Sequence, residues 1–255
     1  MPLRENDLLI ISYCNYFYRE IALNWANALG RLGIDNYLIF SIDKECHEFL
    51  KSKRINSCLH TISDLPKKQA AGGMSKKMGR ERFYIIKSLL QEGYDVVYSD
   101  LDAVWIKNPL DLCANFNDDH MIASVVQHAG AWPPKVSKEW GFTLCTGWFG
   151  FRACVKNIKF LEELGEFFKN GKIVCDQDAY NSYLLSLNPS HDRGVKGHCS
   201  RLTLPGGATL LGINPELIKR GHPTNKALVG HPVSCKTAKQ TMNKLKEKNL
   251  WFLEK

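Results

Sequence analysis

Short apolar runs alternate along the chain with longer stretches in which apolar positions return every three or four residues. "DLLIISY" is a β-rich apolar run, and after it Ile21, Trp25, Ala28 and Leu32 share one helical face until Gly33 stops the pattern. "NYLIFSID" repeats the strand signal. "SKKMGRERFYIIKSLLQEGYDVVYSD" then reads as a helix with Phe83, Ile86 and Leu90 on one face, a stop at Gly93, and a strand that runs into Asp100 and Asp102. Strand–helix alternation of this kind predicts an α/β class fold: a Rossmann-like, doubly wound sheet, mixed but largely parallel, with helices on both faces. Near the C-terminus, "KTAKQTMNKLKEKNLWFLEK" predicts a basic amphipathic helix with Met242 and Leu245 inward and Trp251 packed back on the core.

The chain has 255 residues, 44% of them apolar, with no Pro/Gly/Ser-rich linker, low-complexity tract or repeat, so one domain over 1–255 is expected. Its net charge of +8 suits phosphate-bearing ligands, nucleic acid or an anionic surface about equally. Nucleic acid lacks support, because no zinc-finger spacing, basic heptad helix or RNP-like aromatic strand accompanies the charge. Nine cysteines occur singly, with no Cys-x-x-Cys pair to hold zinc or run redox chemistry. The opening apolar run is too short for a signal peptide or a membrane span. The chain as it stands is therefore expected in the cytoplasm, or in the Golgi lumen if an N-terminal anchor has been removed. The basic C-terminal helix leaves membrane contact open without indicating it.

The two acids carry the chemistry. Strand residues i and i+2 point to one side, so Asp100 and Asp102 are expected to face a common ligand at a strand's carboxyl end, where α/β sheets gather their ligands. Two like charges held close in a crevice repel unless a cation lies between them, and the hard oxygen donors suit magnesium or manganese.

In this context the segments resemble a known family. "GYDVVYSDLDAVWIKNPL" is similar to the Asp-x-Asp segment of nucleotide-diphospho-sugar transferases with the GT-A fold, closest to glycosyltransferase family 77, which contains plant arabinosyl- and xylosyltransferases. "ALNWANALGRLGIDNYLIFSID" resembles that family's first strand–helix–strand unit and "TGWFGFRA" its middle strand. "DQDAYNSYL" resembles its Asp-Gln segment, and "LVGHPVSCKTAKQTMNKLKEKNLWFL" its closing His segment. The resemblance implies a metal-dependent, retaining transferase that moves a galactose-, xylose- or arabinose-type sugar from a UDP-sugar donor to a hydroxyl of a glycan or glycoprotein acceptor.

Carried over by position, it makes Asp100, Asp102 and His231 the ligands of Mn2+ or Mg2+. Arg82 falls where the family places a basic residue facing the donor, and Asp176 and Gln177 line the sugar pocket, with Asp178 a weaker companion. Ser12, Tyr13, Asn15, Asp43 and Leu101 fall where the nucleotide is expected, and either Lys236 or Lys239 faces the diphosphate. One departure stands out: the family's usual Asn-x-Gly reads Cys145-Thr146-Gly147, which exchanges an amide for a weak thiol donor beside the sugar. Two other classes compete. "VVYSDLDAV" also fits the first motif of haloacid-dehalogenase-like phosphatases, with Asp100 as nucleophile and Asp118-Asp119 as the downstream pair, and a non-catalytic sugar-binding module would carry the same crevice.

Overall fold

A computed structural model describes residues 8–62, 76–117, 120–127, 131–171, 173–192, 198–232 and 237–253. The first half alternates as its polarity dictates: β1 (Leu8–Cys14), α1 (Arg19–Arg31), β2 (Tyr37–Ser41), α2 (Lys44–Ser52), β3 (Ser57–Leu59), α3 (Lys76–Gln91) and β4 (Asp95–Ser99). Gly33 and Gly93 follow α1 and α3 at φ values of 71° and 90°, a left-handed geometry that glycine adopts without strain and that ends a helix. A two-residue strand β5 (Val104–Trp105) precedes β6 (Met121–Val126), α4 (Pro134–Trp140), β7 (Thr143–Phe151), α5 (Val155–Asn170) and α6 (Asp176–Ser186). The remainder holds β8 (Ser190–Asp192), β9 (His198–Thr203), β10 (Thr209–Ile213), β11 (Ile218–Arg220), β12 (Val229–His231) and α7 (Ala238–Glu247).

Nine strands form one sheet in the order β3-β2-β1-β4-β7-β6-β10-β9-β8, and β11-β12-β5 form a second, small sheet. Pairing is parallel across β3-β2-β1-β4 and again at β6-β10, while β7 runs antiparallel to both its neighbours and β9 to both of its own. The sheet is thus mixed, with less parallel pairing than the strand–helix alternation predicts. The extra antiparallel strands come from the middle and last thirds of the chain, where no long helix separates β8 from β9 or β9 from β10.

Both faces of the large sheet are covered, which is why β1, β4 and β7 read as unbroken apolar runs rather than alternating ones. On one face Ile11, Tyr98 and Phe149 pack with Phe83 and Ile86 of α3, Leu164 of α5 and Tyr180 of α6. On the other, Ile10, Val97 and Trp148 pack with Trp25 of α1, Val229 of the small sheet and Leu245 of α7. Met242 and Trp251 pack against that second cluster, as the C-terminal pattern predicts. Among the described residues no helix is long and apolar enough to cross a membrane.

The β6–β7 ladder is interrupted in one place. Ala123 pairs with Phe149, but the next residue, Ser124, pairs with Cys145, so Thr146, Gly147 and Trp148 are released from β6 while Trp148 keeps its register with Ser99 of β4. Bulges of this kind re-aim side chains. Here the released residues lie beside the end of β4.

Candidate active site

At the carboxyl ends of β1 and β4 lies a cavity of about 560 Å³, lined by residues from the large sheet, the small sheet, α3, α6 and α7. β4 stops at Ser99, one residue before the acids. The Asp100 amide donates to the Gly147 carbonyl at 2.8 Å and the Ala103 amide to the Asp100 carbonyl at 2.9 Å, so Asp100 and Asp102 stand in a tight turn. They do face one point, but the turn brings them there and not the pleat of a strand. The turn is anchored from below: Trp25 and Trp105 donate their indole N–H groups to the Ser99 hydroxyl at 3.2 and 3.1 Å, and that hydroxyl lies 3.2 Å from the Ala103 carbonyl it donates to.

His231 reaches the same point from the end of β12. Its Nε2 lies 3.5 Å from Asp102 Oδ1 and 3.8 Å from Asp100 Oδ2, and one ligand atom from each of the three residues falls within 4.8 Å of the others. Opposite ligands of a small divalent ion stand roughly 4 Å apart, and two carboxylates with an imidazole form a hard-to-borderline donor set, so the residues fit magnesium or manganese. Room for this convergence depends on Gly147, where a Cβ would meet His231 Cε1 at 2.1 Å and Asp100 Oδ2 at 2.8 Å.

Charge in the cavity is closely coupled. Burial pushes the Asp100 carboxyl above its ordinary range, opposed by Arg82 and reinforced by Asp102. Asp102 is held below its ordinary value, because His231 and Arg220 outweigh its burial. Burial would depress His231, yet Asp102 and Cys145 raise it to about 10. Burial would likewise raise Cys145, but Arg220 and His231 bring that thiol down to about 6. The acids thus draw positive charge to the very point where their oxygens converge.

Arg82 is 1% exposed and sits behind the acids. It donates to the Thr146 carbonyl at 3.0 Å, pairs with Asp100 Oδ1 at 3.4 Å and with Asp176 Oδ2, and lies over the Tyr98 ring at 4.2 Å. Asp176 opens α6 without capping it; its Oδ2 accepts the Thr146 hydroxyl at 3.0 Å. Gln177 borders the cavity and donates to the Trp132 carbonyl at 2.7 Å, with the Trp132 ring 44% exposed at the rim. Asp178 accepts from the Val174 amide at 3.0 Å and the Ser182 hydroxyl at 3.0 Å and does not line the cavity.

Tyr13, Asn15 and Leu101 also line the cavity. Ser12 and Asp43 do not: Ser12 is buried on the opposite face of β1, and Asp43 accepts from the Cys46 amide as the cap of α2 and from the Tyr16 amide. Lys239 is exposed on α7 outside the cavity, where Thr241 is the α7 residue that lines it, and Lys236 and Asp118-Asp119 lie outside the described residues. Arg220, which the sequence patterns pass over, does line it. It closes β11, paired in register with His231 of β12, and donates to Cys145 Sγ at 2.9 Å. Its sequence surroundings, "LIKRGH", carry no spacing signal; only the strand pairing shows where it goes.

A Rossmann-like mixed sheet with an acidic turn after its fourth strand and a distant histidine closing the crevice is the architecture of GT-A nucleotide-sugar enzymes. The model of the nucleotide-diphospho-sugar transferase family matches residues 32–214, and the chain belongs to that family. An arabinosyltransferase of Arabidopsis thaliana is 27% identical over 224 residues, covering 84% of this chain and 33% of that protein. The UDP-galactose:fucoside alpha-3-galactosyltransferase of Dictyostelium discoideum is 23% identical over 219 residues, covering 72% and 32%. The chain thus spans about a third of the length of these curated relatives. Among solved structures, the galactosyltransferase LgtC, in complex with donor and acceptor sugar analogues, superposes with a TM-score of 0.56 at 12% identity, covering 94% of this chain and 96% of that one, a likeness of fold. Family membership sets aside the phosphatase alternative.

Proposed function

We infer that this chain transfers a pentose or hexose from a UDP-sugar to a hydroxyl of a glycan or glycoprotein acceptor, with Mn2+ or Mg2+ held by Asp100, Asp102 and His231. The observation that carries this is the convergence of those three ligand atoms within 4.8 Å at the carboxyl edge of the sheet. Two relatives named for arabinosyl and galactosyl transfer support the sugar class. When bound, the ion neutralises the diphosphate as it leaves, acting as a Lewis acid. Tyr13, Asn15 and Leu101 form the nucleotide side of the cavity. Arg82 ties Asp100 to Asp176 and so fixes the spacing between the diphosphate side and the sugar side. Asp176 and Gln177 face the sugar, where positive charge develops as the anomeric bond breaks, and a preorganised carboxylate is most useful there. With Asp176 already committed to Arg82 and Thr146, the acceptor hydroxyl attacks on the face the diphosphate leaves and its proton passes to that leaving group, giving retention. A binding module would not need this spacing between the acids and the Asp-Gln pair.

Thermal melting with UDP tests the reading. UDP with Mn2+ is expected to raise Tm, and the rise should largely vanish with excess chelator, because without the ion the diphosphate loses its bridge to Asp100 and Asp102 and meets their negative charge. Equal stabilisation in both conditions would overturn it.

A further inference from the structure

A nucleoside diphosphate brings its charge into a cavity lined by three carboxylates, those of Asp100, Asp102 and Asp176, so cations must face it. Among the described residues, Arg82, Arg220 and His231 are the basic side chains lining that cavity. Arg82 is buried behind the acids and committed to Asp100, Asp176 and the Thr146 carbonyl. Lys239, the described member of the lysine pair the family pattern favours, is exposed and outside the cavity.

The geometry points to Arg220 as the cation that grips the donor's diphosphate, with Cys145 as its positioning residue; this rests on the donor reading above. Arg220 is delivered by strand pairing, since its register partner on β12 is His231. Both side chains therefore leave the end of the small sheet together, one toward the acids and one toward the bulge of β7. There the guanidinium meets Cys145 Sγ at 2.9 Å. A guanidinium has five N–H donors in a planar fork; the sulfur of Cys145 engages Nη1, whereas a phosphate takes two N–H groups in parallel. Cys145 thus holds Arg220 at the cavity wall in a defined orientation and leaves the rest of the fork for a phosphate.

Calorimetric titration in Mn2+ of UDP and of uridine, which lacks the phosphates, into wild type, Arg220→Gln, Arg220→Lys, Cys145→Ala and the Cys145→Ala/Arg220→Gln double variant tests this. Arg220→Gln is expected to weaken UDP about 10–100-fold, the size of one or two lost charged hydrogen bonds, and to leave uridine unchanged. Arg220→Lys keeps the charge without the fork and should fall between. Cys145→Ala should weaken UDP several-fold in the wild-type background and no further in Arg220→Gln, because it acts through the arginine. Arg220→Gln and Arg220→Lys both binding UDP like the wild type, or losing UDP and uridine equally, would overturn the assignment. If the Gln variant does not fold, the Lys variant decides by the same criterion. Wild type that fails to bind UDP at all would overturn the donor reading itself, which is a separate outcome.

Discussion

Gly147 shows how much of the site depends on a missing methyl group. It sits within a strand and outside the positive-φ region, so its backbone would accept alanine; its surroundings would not, with His231 Cε1 2.1 Å and Asp100 Oδ2 2.8 Å from the new carbon. Gly147→Ala is expected to cost about 1–3 kcal/mol of stability by overpacking. Manganese-dependent UDP binding should fall further, by roughly 10–100-fold, the usual effect of displacing a metal ligand or its support. Gly30→Ala in α1 is the control: nothing lies within 4 Å of its Cβ, and trading glycine for alanine there should raise stability by up to about 1 kcal/mol with UDP binding unchanged. Melting curves and titrations of the two variants side by side check both statements. At this scale the sequence was only partly legible. Asp100 and Asp102 stand out by their spacing and His231 only through the family resemblance, and the three converge in the structure, whereas Arg220 meets Cys145 through a contact between β11 and β7 that no local spacing encodes.

Elements carry the site as units, and α6 is held to β7 by one amide besides the Thr146–Asp176 hydrogen bond. Asn181 is fully buried; its Nδ2 donates to the Leu144 carbonyl at 2.7 Å and its Oδ1 accepts from the Leu144 amide at 2.8 Å. That pair fixes the helix opening with Asp176 and Gln177 against the strand that supplies Cys145, Thr146 and Gly147. Asn181→Ala should cost about 2–5 kcal/mol, since two buried backbone groups lose the partner this side chain provides. At roughly 2–4 °C of Tm per kcal/mol for a chain of this size, the shift is easily read by calorimetry. A loss below about 1 kcal/mol would mean that the helix docks by its apolar contacts alone. The helices and strands of the first half were readable because period and glycine stops agree: Phe83, Ile86 and Leu90 are all buried. Asp176 and Asp178 part company in the structure: Asp176 turns to Arg82 and Thr146, and Asp178 to the Val174 amide. The two carboxylates occupy the same first turn, and only tertiary partners separate their roles.

Over the whole molecule, the C-terminal segment closes on its beginning. Asn24 of α1 donates to the Leu250 carbonyl at 2.9 Å and accepts from the Phe252 amide at 2.6 Å, while Asn27 donates to the Phe252 carbonyl at 2.9 Å. The Leu250 side chain fills the space over Gly230, next to His231 in β12. Asn24→Ala should therefore lower Tm by an amount similar to Asn181→Ala and also weaken manganese-dependent UDP binding, because it loosens the support of a metal ligand far away in sequence. Unchanged UDP binding would show the clamp to be purely structural. The large sheet was foreseen in its parallel half, where helices separate the strands; its antiparallel half and the small sheet were not, because β5, β11 and β12 are two or three residues long and leave no periodic trace.

The interruption in the β6–β7 ladder has a consequence for how such an enzyme diversifies. Cys145 pairs with Ser124 and Phe149 with Ala123, so the residues between them are exempt from the register that β6 imposes, while Trp148 keeps β7 locked to Ser99 on the other side. Thr146 and Gly147 of the exempt stretch line the cavity. A residue changed at the edge of that stretch would alter the cavity wall without having to shift either ladder, so the wall can be reshaped where the sheet demands nothing of it.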